Sequence, residues 1–408
     1  MKTINEILPI ARWSAYAVEY TKNTLSIKYK FEDVSYLLCP KTRKATLSPH
    51  QSYYLRIRDL PVGEKQTILE IEVVECWCYE CNKFHSVRPD ELHYSMAMTW
   101  RLMWQLCWLV KEGAVTDIAK QYKLSASSAR RADKAVLQLI DYNVEPPFDD
   151  IEVIVVDEKH PGRRLKFITL VTNIKGEILY LGQGKGKETL KAFFDSLTVK
   201  QKQTIKVVCA DRSNAYTKVV KESLPGVEIC FDRFHINKNA NDCLTEVRRS
   251  EFKKKDKGSE ELKRSKYIPT MNPGNLNEKG QEKLSKLLEA NANINKAYLL
   301  KESLRVMYHL NDAGEAKQHF NSWLAMAKDS KLKPFMRLAK RLKKTKQEVL
   351  NYFRYKVTSG IIESLNSKIS KIQLKMRGII DLQHLYLRLR LASSPAFLAQ
   401  LVPQGLES

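Results

Sequence analysis

Alternation of apolar and polar side chains is strongest at residues 53–58 (Tyr-Tyr-Leu-Arg-Ile-Arg) and 68–74 (Ile-Leu-Glu-Ile-Glu-Val-Val). A period of two predicts half-buried strands, and Asp59-Leu60-Pro61-Val62-Gly63 between them reads as a turn. Before this hairpin, residues 1–34 read as helical and then irregular. After it the period lengthens. Apolar positions 115, 118, 119, 122 and 124 fit a short helix over 115–122, a turn at 123–125 and a second helix over 125–139 capped by Ser125. This is either a helix-turn-helix or an ordinary helical hairpin, and residues 143–148 read as a linker.

From residue 151 strands and helices alternate. Strands are predicted at 151–156, 167–172, 178–181, 205–210 and 227–230, and helices at 187–197 and 213–224. Three strands in a hairpin series followed by strand-helix-strand match the start of a ribonuclease H-like fold better than a Rossmann fold. Residues 250–355 are helical, polar and Lys-rich, with 253–266 a charged, Gly- and Ser-bearing stretch that suits a mobile loop. From residue 358 the pattern reads as one long helix to about 391, with Gly378 a candidate interruption. Six segments follow: 1–34, a ribbon-like 35–90, a helical 91–145, the first part of an α/β core over 150–249, a helical insertion over 250–355, and the rest of that core, a Glu363-bearing C-terminal helix over 356–400.

Charge adds a partner to this outline. The 408 residues hold 69 Lys+Arg against 46 Asp+Glu, a net +23. Such an excess implies a polyanion, most often nucleic acid. Residues 331–377 concentrate it, with fourteen Lys/Arg and only Glu348 and Glu363 opposing them. For a single lysine a solvated helical face suffices; the cluster as a whole points to DNA. Candidate contacts are Ser127 on the second predicted helix, with Arg130 and Arg131 of that helix read as exposed, and Lys343, Lys344, Lys368, Lys371, Lys375 and Arg377. The longest apolar run, 102–110, contains Gln105 and falls far short of the ~18–20 residues of a membrane span. Glu6 and Pro9 interrupt the one short apolar run near the start, so no signal-peptide pattern is present. A cytoplasmic, nucleoid-associated protein with no membrane partner is expected.

Eight cysteines in such a chain read as reduced thiols or metal ligands. Cys107, Cys209, Cys230 and Cys243 lie in apolar patterns and read as core. Cys78-Tyr79-Glu80-Cys81 follows a strand, as in the knuckle of a zinc ribbon. Its partner knuckle is incomplete, because Cys39-Pro40-Lys41-Thr42 ends in Thr. Cys39, Cys76, Cys78 and Cys81 are therefore the candidate Zn²⁺ ligands, with His50 or His85 as alternatives for the fourth place. A ribbon held by its apolar core alone is the other reading. Gly182-Gln183-Gly184-Lys185-Gly186-Lys187 fits neither phosphate-loop spacing, which excludes an ATPase.

Two acids stand at equivalent places, Asp157 after the first core strand and Asp211 after the fourth. Glu363 lies on a helix. Three carboxylates from separate elements suit two Mg²⁺ or Mn²⁺ ions in phosphoryl transfer, although acids at strand ends are also common caps. Asp232-Arg233-Phe234-His235 is read as an N-cap or as a pair beside the carboxylates.

Several motifs together resemble the bacterial insertion-sequence transposases of the ISL-three family, of the DDE group. They are Arg58-Asp59-Leu60-Pro61-Val62-Gly63, Val156-Asp157-Glu158, Ala210-Asp211-Arg212-Ser213-Asn214-Ala215-Tyr216, Asp232-Arg233-Phe234-His235 with Asn237-Lys238, and residues 359–369 around Glu363. The resemblance implies an α/β ribonuclease H-like catalytic core with a large helical insertion, preceded by a small β zinc-ribbon-like segment and a helix-turn-helix. It implies Asp157, Asp211 and Glu363 as metal-binding catalytic acids, with Asp232 and His235 supporting. The activity implied is metal-dependent strand cleavage and transfer at terminal inverted repeats. The partners implied are double-stranded transposon-end and target DNA, and a homodimer or higher assembly on it. Thr42 departs from the family's ribbon, and Leu374-Lys375-Met376-Arg377-Gly378 is plainer than its usual aromatic, arginine-rich stretch. A non-catalytic DNA-binding protein and a ribonuclease H-like nuclease are the competing expectations.

Overall fold

The computed structural model describes residues 8–32, 37–148, 150–162, 165–254, 267–357, 360–377 and 381–401. The chain forms two units, Met1–Glu145 with Ile369–Ser408, and Pro146–Lys368.

The first unit opens with strands, which corrects the helical expectation for residues 1–34. β1 (Trp13–Tyr20) pairs antiparallel with β2 (Thr24–Phe31). In β2, Ile27, Tyr29 and Phe31 alternate into the core, a period of two that favours a half-buried strand over a helix. β3 (Leu47–Val62) and β4 (Lys65–Cys78) form the expected hairpin, longer than its alternating cores. Its turn needs a positive φ, which Gly63 supplies at 57°. The sheet order is β1-β2-β4-β3, and β5 (Lys83–Val87) pairs with β4.

Three helices follow: α1 (Trp100–Glu112), α2 (Val115–Gln121) and α3 (Ala126–Asn143). Thr99 caps α1, and Ser125 caps α3 by accepting the Ser128 N–H. Apolar residues Val115, Ile118, Ala119, Ala129, Val136 and Leu137 are buried among them.

The second unit is built on β6 (Val153–Gly162), β7 (Lys166–Asn173), β8 (Ile178–Gln183), β9 (Val207–Ala210) and β10 (Glu228–Phe231), in the order β10-β9-β6-β7-β8. β6, β7 and β8 run as an antiparallel meander; β9 and β10 lie parallel to β6. The crossovers that parallel pairing requires are made by α4 (Lys187–Ser196) with α5 (Val199–Thr204), and by α6 (Asn214–Ser223).

Helices then run through α7 (Arg233–Lys254), α8 (Glu278–Ala290), α9 (Ala292–Met307), α10 (Ala313–Asp329), α11 (Lys333–Lys344) and α12 (Lys346–Tyr355). One apolar cluster joins sheet and helices, from Val156 and Cys209 to Trp323 and Phe353. Of the anticipated mobile loop, residues 255–266 lie outside those described.

The expected single C-terminal helix is two helices, α13 (Gly360–Lys375) and α14 (Leu382–Ser393), followed by α15 (Pro395–Leu401). Arg377 turns left-handed at φ 50°, and Asp381 caps α14 by accepting the Gln383 and His384 N–H groups at 3.0 and 3.2 Å. Gly378 lies outside the described residues.

α14 and α15 pack on α3, inside the first unit. The buried Asp133 carboxylate receives Arg388 at both oxygens, with His384 Nε2 2.6 Å from Oδ2. Arg390 pairs with Asp141 and donates to the Val144 carbonyl at 3.0 Å. Burial pushes the Asp133 carboxyl up, but Arg388 and the His384 hydrogen bond outweigh it and hold it low.

Candidate active site and a cysteine–histidine cluster

The register of the second sheet brings distant acids into one row. Val156 of β6 and Phe231 of β10 both align with Ala210 of β9. The residues one step beyond that row are Asp157, Asp211 and Asp232. Neighbouring strands lie about 4.8 Å apart, so three acids stand side by side along the carboxyl ends of the parallel strands. That edge is where open α/β sheets bind ligands. The expectation that Asp157 follows its strand needs adjustment. It lies within β6, at the point where β9 ends and only β7 continues alongside.

Each acid is held by its surroundings. Asp232 accepts the Phe234 N–H at 3.0 Å through Oδ1, and its Oδ2 lies 2.9 Å from His235 Nδ1. Asp232 is thus both the cap of α7 and the partner of His235. Asp211 accepts the Arg212 N–H at 2.5 Å. Asp157, buried, accepts the Asn366 side-chain amide at 3.2 Å. That bond fixes α13 against the strand ends. At the start of the same helix, Ile361 faces the β7–β8 turn, where a Cβ added at Gly176 would lie 3.3 Å from it. Glu363 is exposed and sits one turn before Asn366, on the same helical face.

The electrostatics of the edge are those of crowded negative charge. Burial raises the Asp157 carboxyl above its ordinary range, Asp232 adds to this, and Asn366 and His235 oppose it. Glu158 is raised by burial and by Asp211 and Asp157, against a hydrogen bond from Tyr216. The hydrogen bond to Asp232 raises His235 toward its charged form, burial opposes, and the charges of Asp211, Asp232 and Asp157 favour it. Hard carboxylate oxygens crowded along one edge fit a divalent cation such as Mg²⁺ or Mn²⁺. Among the described residues, however, the carboxylates do not gather to within 4.8 Å as three ligand atoms, so the site is open rather than pinched. Asn366, Glu158 and Tyr216 were not singled out from sequence. The i,i+3 spacing of Glu363 and Asn366 was the available signal.

A second constellation lies in the first unit. Cys39, Cys78, Cys81 and His85 bring their ligand atoms within 4.8 Å of one another. Cys39 and Cys81 sulfurs are 3.8 Å apart, and His85 Nε2 lies 3.5 and 3.1 Å from them. A tetrahedral zinc with bonds of about 2.3 Å sets a sulfur–sulfur edge of about 3.8 Å, so the donor set fits. Of the candidates for the fourth place, His85 is gathered with Cys39, Cys78 and Cys81, and Cys76 is not in that group. Cys76 packs in the apolar core of the first sheet, where burial raises its thiol. Cys78 moves the other way, to about 6. Burial opposes that shift, but a hydrogen bond with Thr46 and the Cys81 N–H outweigh it. Thr42 lies beside Cys39 and, with nearby backbone N–H groups, favours its thiolate against burial.

The remaining predicted residues divide. Ser127, Arg131, Lys343, Lys344, Lys371 and Arg377 are exposed. Arg130 is not: it is half-buried and donates to the Met376 carbonyl at 3.1 Å. Lys368 and Lys375 are half-buried, and Lys375 donates to the Lys111 carbonyl at 2.6 Å. Cys107, Cys209, Cys230 and Cys243 are buried as expected. Nearby Arg212, half-buried, is lowered by burial and by the charge of Arg341.

Similarity to known proteins settles the family. A family profile described as a transposase, of the DDE class and ISL3 type, matches residues 154–389, more than half of the chain. The chain belongs to the ISL-three family of transposases. This transposase is 27% identical over 392 residues to the transposase for insertion sequence element IS1001 of Bordetella parapertussis, covering 93% of this chain and 96% of the relative. It is 28% identical over 355 residues to the transposase for insertion sequence element IS1557 of Mycobacterium tuberculosis, covering 80% and 79%. The profile spans the whole acidic edge, from β6 through Glu363. No helix of the described residues is long and apolar enough to cross a membrane.

Proposed function

We propose that this transposase cleaves DNA at the terminal inverted repeats of its insertion sequence and joins the freed ends to target DNA. The observation that carries the reading is the row of Asp157, Asp211 and Asp232, with α13 tied to it through Asn366. Strand order β10-β9-β6-β7-β8, with an antiparallel meander and two parallel strands, supports a ribonuclease H-like core.

Asp157, Asp211 and Glu363 would hold two Mg²⁺ or Mn²⁺ ions. When bound, such ions supply Lewis acidity toward phosphate oxygens and make water or a 3′-hydroxyl more nucleophilic. Asn366 holds the Asp157 carboxylate oriented at the strand ends. Asp232 fixes the His235 ring, and His235 brings a favoured positive charge beside the acids. The cluster of Cys39, Cys78, Cys81 and His85 would hold structural Zn²⁺, ordering the ribbon. Ribbon and α2–α3, as a helix-turn-helix, would read the inverted repeats, with Ser127 and Arg131 on the open face of α3. Pairing two ends requires at least a homodimer on DNA.

The test is Asp157→Ala assayed on end DNA in Mg²⁺. Cleavage and joining should fall by at least about a thousandfold, as when a group supplying several kcal/mol of barrier lowering is lost, while gel-shift affinity holds. Wild-type cleavage by Asp157→Ala would overturn the assignment. Hydrolysis without joining in the wild type would instead indicate a nuclease.

A further inference from the structure

Helix α11 has an unusual surface. Its buried side is apolar, with Phe335, Leu338, Ala339 and Leu342. Its exposed side carries Lys333, Arg337, Lys340, Arg341, Lys343 and Lys344 and no acid. Arg337 is engaged, donating to both oxygens of Glu246 on α7 at 2.6 and 2.7 Å. Among the described residues none of Lys340, Arg341, Lys343 and Lys344 is ion-paired.

Some surface cations elsewhere in the unit are paired with acids, as in Lys191–Asp195, Lys218–Glu222, Lys286–Glu282 and Arg354–Glu228. On α11, positions 337 and 341, and 340 and 344, set like charges at i,i+4, which weakens a helix. The macrodipole favours cations in the last turn but not Lys333 in the first, and it does not account for the missing acids. The face is also placed. Through the Arg337–Glu246 pair α11 lies along α7, the helix that Asp232 of the acidic row caps, and the charge of Arg341 acts on Arg212, the residue after Asp211. Among the described residues the buried Nε of Arg212 has no hydrogen-bond partner.

We propose that the exposed face of α11, with Arg212 at its end, is a track for the phosphate backbone of duplex DNA leading to the acidic edge of the sheet. The occupant is double-stranded DNA, because closely spaced cations without acids match regularly spaced phosphates and no protein side chain would be needed between them. Contacts of this kind position DNA without reading sequence. The inference rests on the proposed DNA chemistry of the acidic row.

The experiment uses the full-length protein and a random-sequence duplex, measuring affinity across a salt series. Substituting Lys340→Ala, Arg341→Ala, Lys343→Ala and Lys344→Ala together should reduce the slope of log K against log salt by about two to four, at about 0.9 per phosphate contact. Arg212→Ala alone should reduce it by about one. A charge-keeping set, with arginine at 340, 343 and 344, should retain the wild-type slope. An unchanged slope in the alanine set, or an equal loss in the charge-keeping set, overturns the track. Cleavage of end DNA by the wild type together with an unchanged alanine slope sinks the track alone. The predicted slope change in a wild type that never cleaves sinks the proposed chemistry and keeps the track.

Discussion

Asn366 is 209 residues from Asp157 in sequence, yet it ties α13 to the acidic edge. Its amide donates to Asp157 at 3.2 Å and opposes the rise that burial imposes on that carboxyl. Removing it frees Asp157 to rotate and to hold its proton more tightly. Asn366→Ala should therefore lower end cleavage by about 10–100-fold, the usual cost of losing a group that orients a metal ligand. Raising Mg²⁺ should recover part of the loss, which a simple folding defect would not show. Activity measured against Mg²⁺ concentration checks this. Asp157 and Asp211 were legible from sequence because a carboxylate after a buried run is visible in one dimension. The contribution of Asn366 was not, because hydrogen bonds across 209 residues leave no local pattern.

Elements were legible where their period was clean. α2, α3 and most strands of the second sheet fall close to their predicted spans, whereas β3 runs on through most of the predicted turn at 59–63 and β6 runs on to Gly162. β1 and β2 were misread, although Ile27, Tyr29 and Phe31 alternate plainly. The fourth member of the cysteine–histidine cluster was open because Cys76 and His85 face each other across β4 and β5, so position in sequence cannot rank them. The structure gathers His85 with Cys39, Cys78 and Cys81. Two consequences are measurable. Purified protein should carry one zinc per chain by elemental analysis, and Cys81→Ser or His85→Ala should lose it, whereas Cys76→Ser should keep it. Chelation should raise hydrogen exchange at the knuckle and at β5, while the middle of the β3–β4 hairpin, held by Leu69, Ile71 and Val73, stays protected.

At the scale of the whole molecule, the feature least visible in sequence is the return of the C-terminus. The C-terminal segment was expected to belong with the catalytic core, yet residues from 369 on group with the N-terminal unit. The reason is a buried charge. Asp133 sits in the middle of α3, where nothing nearby in sequence neutralises it, and Arg388 and His384 of α14 supply what it lacks. A carboxylate buried without partners costs several kcal/mol, so α3 and α14 are stable only together. Ending the chain after Lys375 should thus leave Asp133 uncompensated and bare the apolar residues that α14 and α15 cover. Limited proteolysis should then cut within α1–α3 while the second sheet resists. Asp133→Ala in the full chain should cost about 3–5 kcal/mol by chemical denaturation, since Arg388 is stranded. The same pair sets an acid limit. Because Asp133 is held below its unfolded value, its contribution is complete above about pH 4 and is lost as pH falls toward the lowered value. Stability of the first unit, followed by exchange or proteolysis, should fall with pH in that range. Asp133→Asn should flatten that part of the profile, and an unchanged acid limb in this variant would show that the Asp133–Arg388 pair does not govern it.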